Sequence, residues 1–76
     1  MKLVEFSNNG YIFRLKFEDG TCIESNLKAL LQQKVSPSSL NTAQIDPEWG
    51  CLEFDNGLID IEPKTLFNYC ISHSIN

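Results

Sequence analysis

A chain of 76 residues makes one domain with an economical core, since a fold this small buries only about 60% of the surface its unfolded chain exposes. A content of 42% hydrophobic and 21% charged residues excludes a disordered chain, and no run approaches the ~20 apolar residues of a membrane span. Ten acidic against six basic residues give a net charge of −4, and Lys2, Arg14, Lys16, Lys28, Lys34 and Lys64 never form a run; this argues against direct nucleic-acid binding, which rests on clustered phosphate contacts, and suits a small, basic protein partner.

In chain order, Leu3-Val4-Glu5-Phe6, the polar stretch Ser7-Asn8-Asn9-Gly10 and the alternating segment 11–17 predict a hairpin. A two-residue turn at Asn9-Gly10 sets Phe6 against Phe13, Val4 against Leu15 and Glu5 against Arg14. Glu18-Asp19-Gly20 then reads as a three-residue loop with Gly20 in the left-handed region, which sets Leu15 against Ile23 and keeps the apolar face intact. Asn26 is placed to cap a helix over 27–34 with Leu27, Leu30 and Leu31 on one face. Ser36-Pro37 ends that helix and opens a single short turn, with Pro at the first helical position.

A short strand is predicted at Thr42-Ala43-Gln44-Ile45, followed by a tight reversal in which Asp46, Pro47 and Gly50 hold the positions those residues favour. Asn56-Gly57 is the strongest hairpin signal of the chain. It sets Phe54 against Ile59 and Leu52 against Ile61, leaving Cys51, Glu53, Asp55, Leu58 and Asp60 on the opposite face. Pro63 opens a last helix over 64–71, paired at Leu66/Cys70 and Phe67/Ile71, and residues 73–76 are expected to fray. The fold class is therefore α+β, with two β-meander-plus-helix halves at about 1–35 and 41–72 (β-β-β-α-β-β-β-α) in one domain, 1–76. Phe17-Glu18-Asp19-Gly20 and Phe54-Asp55-Asn56-Gly57 match between the halves; duplication and convergence on common turn chemistry both account for this.

Cys22, Cys51 and Cys70 are odd in number and widely spaced, which reads as free thiols in a reducing compartment. Residues 1–7 lack the apolar stretch of a signal peptide, so the chain is expected in the cytoplasm. Cys70 and His73 lie three apart on a helix, but structural zinc needs four ligands and a nucleophilic pair needs an orienting third group. No catalytic, cofactor or metal site is expected, and the four glycines are isolated turn residues rather than a phosphate loop.

The segment Phe54-Asp55-Asn56-Gly57-Leu58-Ile59-Asp60-Ile61-Glu62-Pro63-Lys64-Thr65-Leu66-Phe67 resembles the closing motif of the bacterial family catalogued as domain of unknown function 2442. In that family an aromatic residue, an Asn-Gly turn and an Asp followed by an aliphatic residue lead to a Pro that opens a helix. The turn at Phe17-Glu18-Asp19-Gly20, with the helix after it, is similar to the family's opening. Phe54 stands where the family often has Trp, and residues 36–45 match it poorly. The resemblance implies a partner-binding protein, because members occur alone or fused to helix-turn-helix domains and are discussed as antitoxin-like.

The expected function is accordingly a small, non-catalytic protein-binding domain, antitoxin-like or a regulatory adaptor. The alternative is a regulator that reaches nucleic acid only through a partner, and a small metal-binding protein or enzyme ranks below both. The partner-binding candidates are Trp49, Glu53, Asp55 and Asp60. Trp49 is either an exposed anchor or a lid on the core edge. Asp60 and Glu62 also favour the positive end of the helix that Pro63 opens, and Glu53 and Asp55 also fit a solvated strand face. A homo-oligomer through the edge at 42–45 is a further expectation.

Overall fold

The computed structural model describes residues 1–75. Two three-stranded antiparallel meanders, each followed by a helix, form an α+β fold. The first unit holds β1 (Leu3–Asn9), β2 (Ile12–Phe17) and β3 (Cys22–Asn26) in that spatial order, then α1 (Lys28–Leu31). A 3₁₀ segment, Pro37–Thr42, leads to β4 (Gln44–Ile45), β5 (Leu52–Phe54) and β6 (Ile59–Ile61), again in sequence order, and then to α2 (Pro63–Ser72).

Alternation along β2 sends Phe13, Leu15 and Phe17 inward and Arg14 and Lys16 outward. The inner faces of the two sheets share one core, in which Phe13 meets Phe54 edge to face with centroids 6.3 Å apart. Leu27, Leu31 and Val35 enter that core from below the first sheet, and Leu66 and Cys70 from α2. Phe67 adds an edge-to-face contact on Phe17 at 5.1 Å.

The three-residue loop stands as expected: Leu15 pairs with Ile23, and Gly20 has φ +92°. The first hairpin does not stand as expected. Its loop is Gly10-Tyr11, so Phe6 pairs with Leu15, Ser7 with Arg14 and Asn8 with Phe13. A turn with Gly first in its central pair wins over one with Gly second, helped by the Asn8 carboxamide donating to the Gly10 carbonyl at 3.1 Å. The shift of two preserves the faces. An irregularity between Leu3 and Glu5 then turns Leu3 into the core and leaves Val4 49% exposed. Arg14 consequently faces Glu24 at 3.6 Å rather than Glu5.

Helix α1 is one turn long instead of two. The N-cap position falls to Leu27 rather than Asn26, although Asn26 Oδ1, one residue earlier, still accepts the Lys28 amide at 2.9 Å. The helix stops because the residue before Pro37 must be extended, and Ser36 has φ −72° and ψ 156°. The Lys34 and Val35 amides both close on the Leu31 carbonyl, which turns Val35 into the core. The strand expected at 42–45 is reduced to Gln44–Ile45, because Thr42 belongs to the 3₁₀ segment.

Residues 73–75 run beside β3 rather than fraying. The buried Ser25 hydroxyl donates to the His73 carbonyl at 2.8 Å, Ser74 bridges Ser25, and the Ile75 amide donates to the Glu24 carbonyl at 2.8 Å. Asn76, the last residue of the expected tail, lies outside the described residues.

The two units are joined where β1 begins. The Leu3 amide donates to the Gly50 carbonyl at 3.1 Å, and Lys2 packs so closely that a Cβ on Gly50 would overlap Lys2 Cβ. Gly50 also has φ +71°, whereas Gly20 shares the positive φ but faces open space. Gly20→Ala is expected to lower unfolding free energy by about 1 kcal/mol, the cost of a left-handed L-residue, and Gly50→Ala by about 3 kcal/mol, because steric overlap adds to it. Urea titrations of the two variants check the difference; equal losses would mean that the joint tolerates displacement.

Candidate functional site

The second sheet turns its inner face, Leu52, Phe54 and Ile61, to the core and its outer face to solvent. Glu53 pairs with Asp60 across β5 and β6, so two carboxylates stand opposite each other on that outer face. Gln44, opposite Glu53 on the other side, donates its amide to Glu53 Oε1 at 2.8 Å. The expected register of Phe54 with Ile59 and Leu52 with Ile61 is present.

At the hairpin tip Asp55, Asn56 and Gly57 all have positive φ, 55°, 58° and 86°. Asp and Asn tolerate this region better than other L-residues. The turn is wider than a two-residue loop, because Asp55 leaves the ladder: its amide donates to Thr42 Oγ1 at 2.9 Å. Leu58 is thereby pushed out and is 86% exposed.

At the opposite end of the sheet, Asp46 shapes the reversal as the sequence predicts. Its Oδ1 accepts the amides of Glu48 at 2.9 Å and Trp49 at 3.4 Å, and its carbonyl accepts the Gly50 amide at 2.7 Å. Trp49 projects from this turn and is 67% exposed, so it does not fold back over the edge of the core. The structure thus brings Glu53 and Asp60 together and places Asp55 at the tip of the same hairpin. Trp49 lies at the far end of β5, apart from Asp55.

Sequence reasoning missed how sharply the charge is divided. Segment 44–62 contains Asp46, Glu48, Glu53, Asp55, Asp60 and Glu62 and no Lys, Arg or His, while the other four acids share the rest of the chain with all six cations. Counting charge by segment rather than by chain would have found it. Cys51, buried at the base of this face, registers the resulting field: burial first, then the charges of Asp60, Asp46, Glu62 and Glu53, push its thiol above the usual 9.0.

The outer face of the first sheet differs in kind. Glu5, Ser7, Arg14, Lys16, Cys22 and Glu24 line an open concavity of about 500 Å³ with mixed charge. The Cys70–His73 spacing does not produce a site. Cys70 is fully buried and burial pushes its thiol up, while the His73 ring stacks on Tyr69 at 4.0 Å with Nδ1 2.9 Å from the Tyr69 carbonyl. Among the described residues no group of three or more His, Cys, Asp or Glu side chains could hold a metal ion, and no helix is long and apolar enough to cross a membrane.

The family model described as "Protein of unknown function (DUF2442)" matches residues 3–72, both hairpin-to-helix units together. The chain belongs to this family. Neither the curated proteins nor the solved structures contain a match to it. The DUF2442 match includes residues 36–45, whose 3₁₀ segment and short strand carry no conspicuous motif of the family.

The three free thiols of this DUF2442 chain are graded by environment. A thiol reagent at neutral pH is expected to modify exposed Cys22 first, Cys51 more slowly and Cys70 only on opening of the core, as read by peptide mass spectrometry. Because Cys51 and Cys70 hold their protons above 9.0 when folded, the unfolded chain releases protons first. Stability is therefore fully present below the unfolded thiol value and falls as pH rises through it. A urea midpoint that does not decline between neutral pH and about pH 10 would contradict this.

Proposed function

We propose that this DUF2442 domain is a non-catalytic protein-binding module, antitoxin-like or a regulatory adaptor, whose acidic second sheet receives a small basic protein. The observation that carries the reading is the Glu53–Asp60 pair on a face whose whole segment, 44–62, lacks a cation. Like charges directly opposite each other on a sheet are destabilising, and an approaching cationic surface relieves that repulsion. Asp55 and the exposed Leu58 extend the face at the hairpin tip, and Trp49 stands beyond its other end as an aromatic anchor. Long-range attraction from such a surface raises the association rate more than it deepens affinity, so binding should weaken as salt rises.

The same field supports the second reading, a regulator that reaches nucleic acid through its partner, because a surface that attracts a basic protein repels phosphate. The isolated chain is then expected not to retard duplex DNA in a gel.

The experiment is capture of the partner from the cells that encode the chain, with wild type and with Glu53→Lys/Asp60→Lys as baits. Both substitutions are at the surface and should change stability by no more than about 0.5 kcal/mol. The reading expects a small basic protein that the wild type retains at low salt and the double variant loses, with affinity reduced at least about tenfold. Recovery of the same proteins by both baits counts against the acidic face. If the recovered protein arrests growth when expressed alone and co-expression of this chain restores it, the antitoxin form of the reading holds; if growth is unaffected, the adaptor form does.

A further inference from the structure

Of the four edge strands, β3 is occupied and β1 is met at its first residue among the described residues. The outer side of β3 receives the 73–75 segment through the Ser25–Ser74 bridge and the Ile75 amide. Strands β1 and β4 lie beside each other where the Leu3 amide reaches Gly50. Strand β6 pairs with β5 on one side and with no strand on the other.

The direction of its backbone groups follows from one bond. The Asp46 amide donates to the Cys51 carbonyl at 3.0 Å, so Cys51 points toward β4. Backbone groups alternate along a strand, so Leu52 and Phe54 point the other way, at Ile61 and Ile59. Asp60, between those two, turns its own amide and carbonyl away from β5. Of its neighbours two residues away, Leu58 lies in the turn and spends its amide on the Asp55 carbonyl, and Glu62 spends its carbonyl on the Leu66 amide. Both Asp60 groups therefore point outward from the sheet, with the Glu62 amide next in the same phase beyond the end of β6.

We propose that β6 is the docking edge for a partner's β-strand, added antiparallel as a fourth strand of the second sheet. This rests on the acidic-face reading above and specifies how the basic partner engages. Side chains 58, 60 and 62 share the outer face. An incoming residue opposite Asp60 exchanges both backbone bonds with it and sets its side chain about 5.5 Å away, Cα to Cα. The complementary sequence is a cation opposite Glu62, a cation two residues later opposite Asp60, and an apolar residue two later against Leu58, which is 86% exposed. A second copy of this chain does not fit. The register that overlaps β6 in full puts Asp60 opposite Asp60, and the carboxylate thus guards the edge against self-pairing.

The test uses the full chain, isotopically labelled, with a synthetic peptide of alternating cationic and β-branched residues that ends its cation series in an apolar residue. Strand addition is expected to slow amide exchange of Asp60 and Glu62 at least about tenfold while leaving β3 unchanged. The same peptide N-methylated at the residue facing Asp60 should lose binding, because it keeps every charge but cannot donate the bond. Asp60→Lys should weaken the unmodified peptide about tenfold. Perturbation of the outer face with unaltered exchange at Asp60 and Glu62, or equal binding of the N-methylated peptide, overturns strand addition and leaves the acidic-face reading intact. No binding of either peptide overturns strand addition too, while the face reading is judged by partner capture alone. Concentration-dependent dimers of the free chain with slowed Asp60 exchange would overturn the choice of occupant.

Discussion

Neither three-stranded sheet can bury its own apolar face, and the closure of the two faces on each other is the constraint from which the rest of the molecule follows. Three strands and a one-turn helix are a marginal unit in water. The contact of Phe13 with Phe54, one ring from each unit, puts both sheets on one core, and Phe6 stacks behind Phe13 at 6.1 Å. A chain of 76 residues has no surplus of apolar side chains for a second layer. Both inner faces are consumed by folding, and both outer faces are left to solvent and to charge.

That closure needs a seam, and the seam is at Gly50. The chain enters β1 past Lys2, whose backbone and side chain occupy the space where any other residue at 50 would carry its Cβ. The Leu3 amide, bonded to Gly50, is turned off the regular ladder of β1 and β2, and the irregularity beside it decides that Leu3 rather than Val4 is buried. Lys2 is held in turn by Glu18, which donates its amide to the Lys2 carbonyl at 2.8 Å and accepts the Lys2 amide on its carboxylate at 3.0 Å. The β2–β3 loop, the start of β1 and the Asp46–Gly50 reversal are thus one connected structure. Trp49 is carried on its outside.

The features legible in the sequence were those fixed by neighbours in the chain. Gly20 and the Asn56-Gly57 pair located two reversals and both registers, and Pro63 located the start of α2, because turn and cap chemistry act over two to four residues. What was not legible depended on contacts across the fold. The first hairpin slipped by two because two Gly-containing turns of similar local merit compete, and the burial of Leu3 and the seam at Gly50 favour one of them. Helix α1 shortened because the Lys34 and Val35 amides converge on the Leu31 carbonyl, which turns Val35 into the core. The 73–75 segment is ordered by a buried serine 48 residues away. In the candidate site, Glu53, Asp55 and Asp60 were readable from alternation alone, and the lack of a cation over 44–62 was readable too from a charge count by segment, which the whole-chain balance of −4 concealed.

The seam and the core also explain why an unneutralised charge can persist on so small a sheet. Glu53 and Asp60 face each other where a sequence shaped only for stability would set opposite charges, as the first unit does with Arg14 and Glu24. The two sheets are built alike, so the contrast between their outer faces is not imposed by architecture. Repulsion between two solvated carboxylates costs only a few tenths of a kcal/mol, which the common core offsets. Positions where a local rule is broken without a packing reason are where selection for function is to be sought. In this chain they coincide with the strand whose edge has backbone groups to offer, so charge and hydrogen-bonding capacity point to the same side of β6.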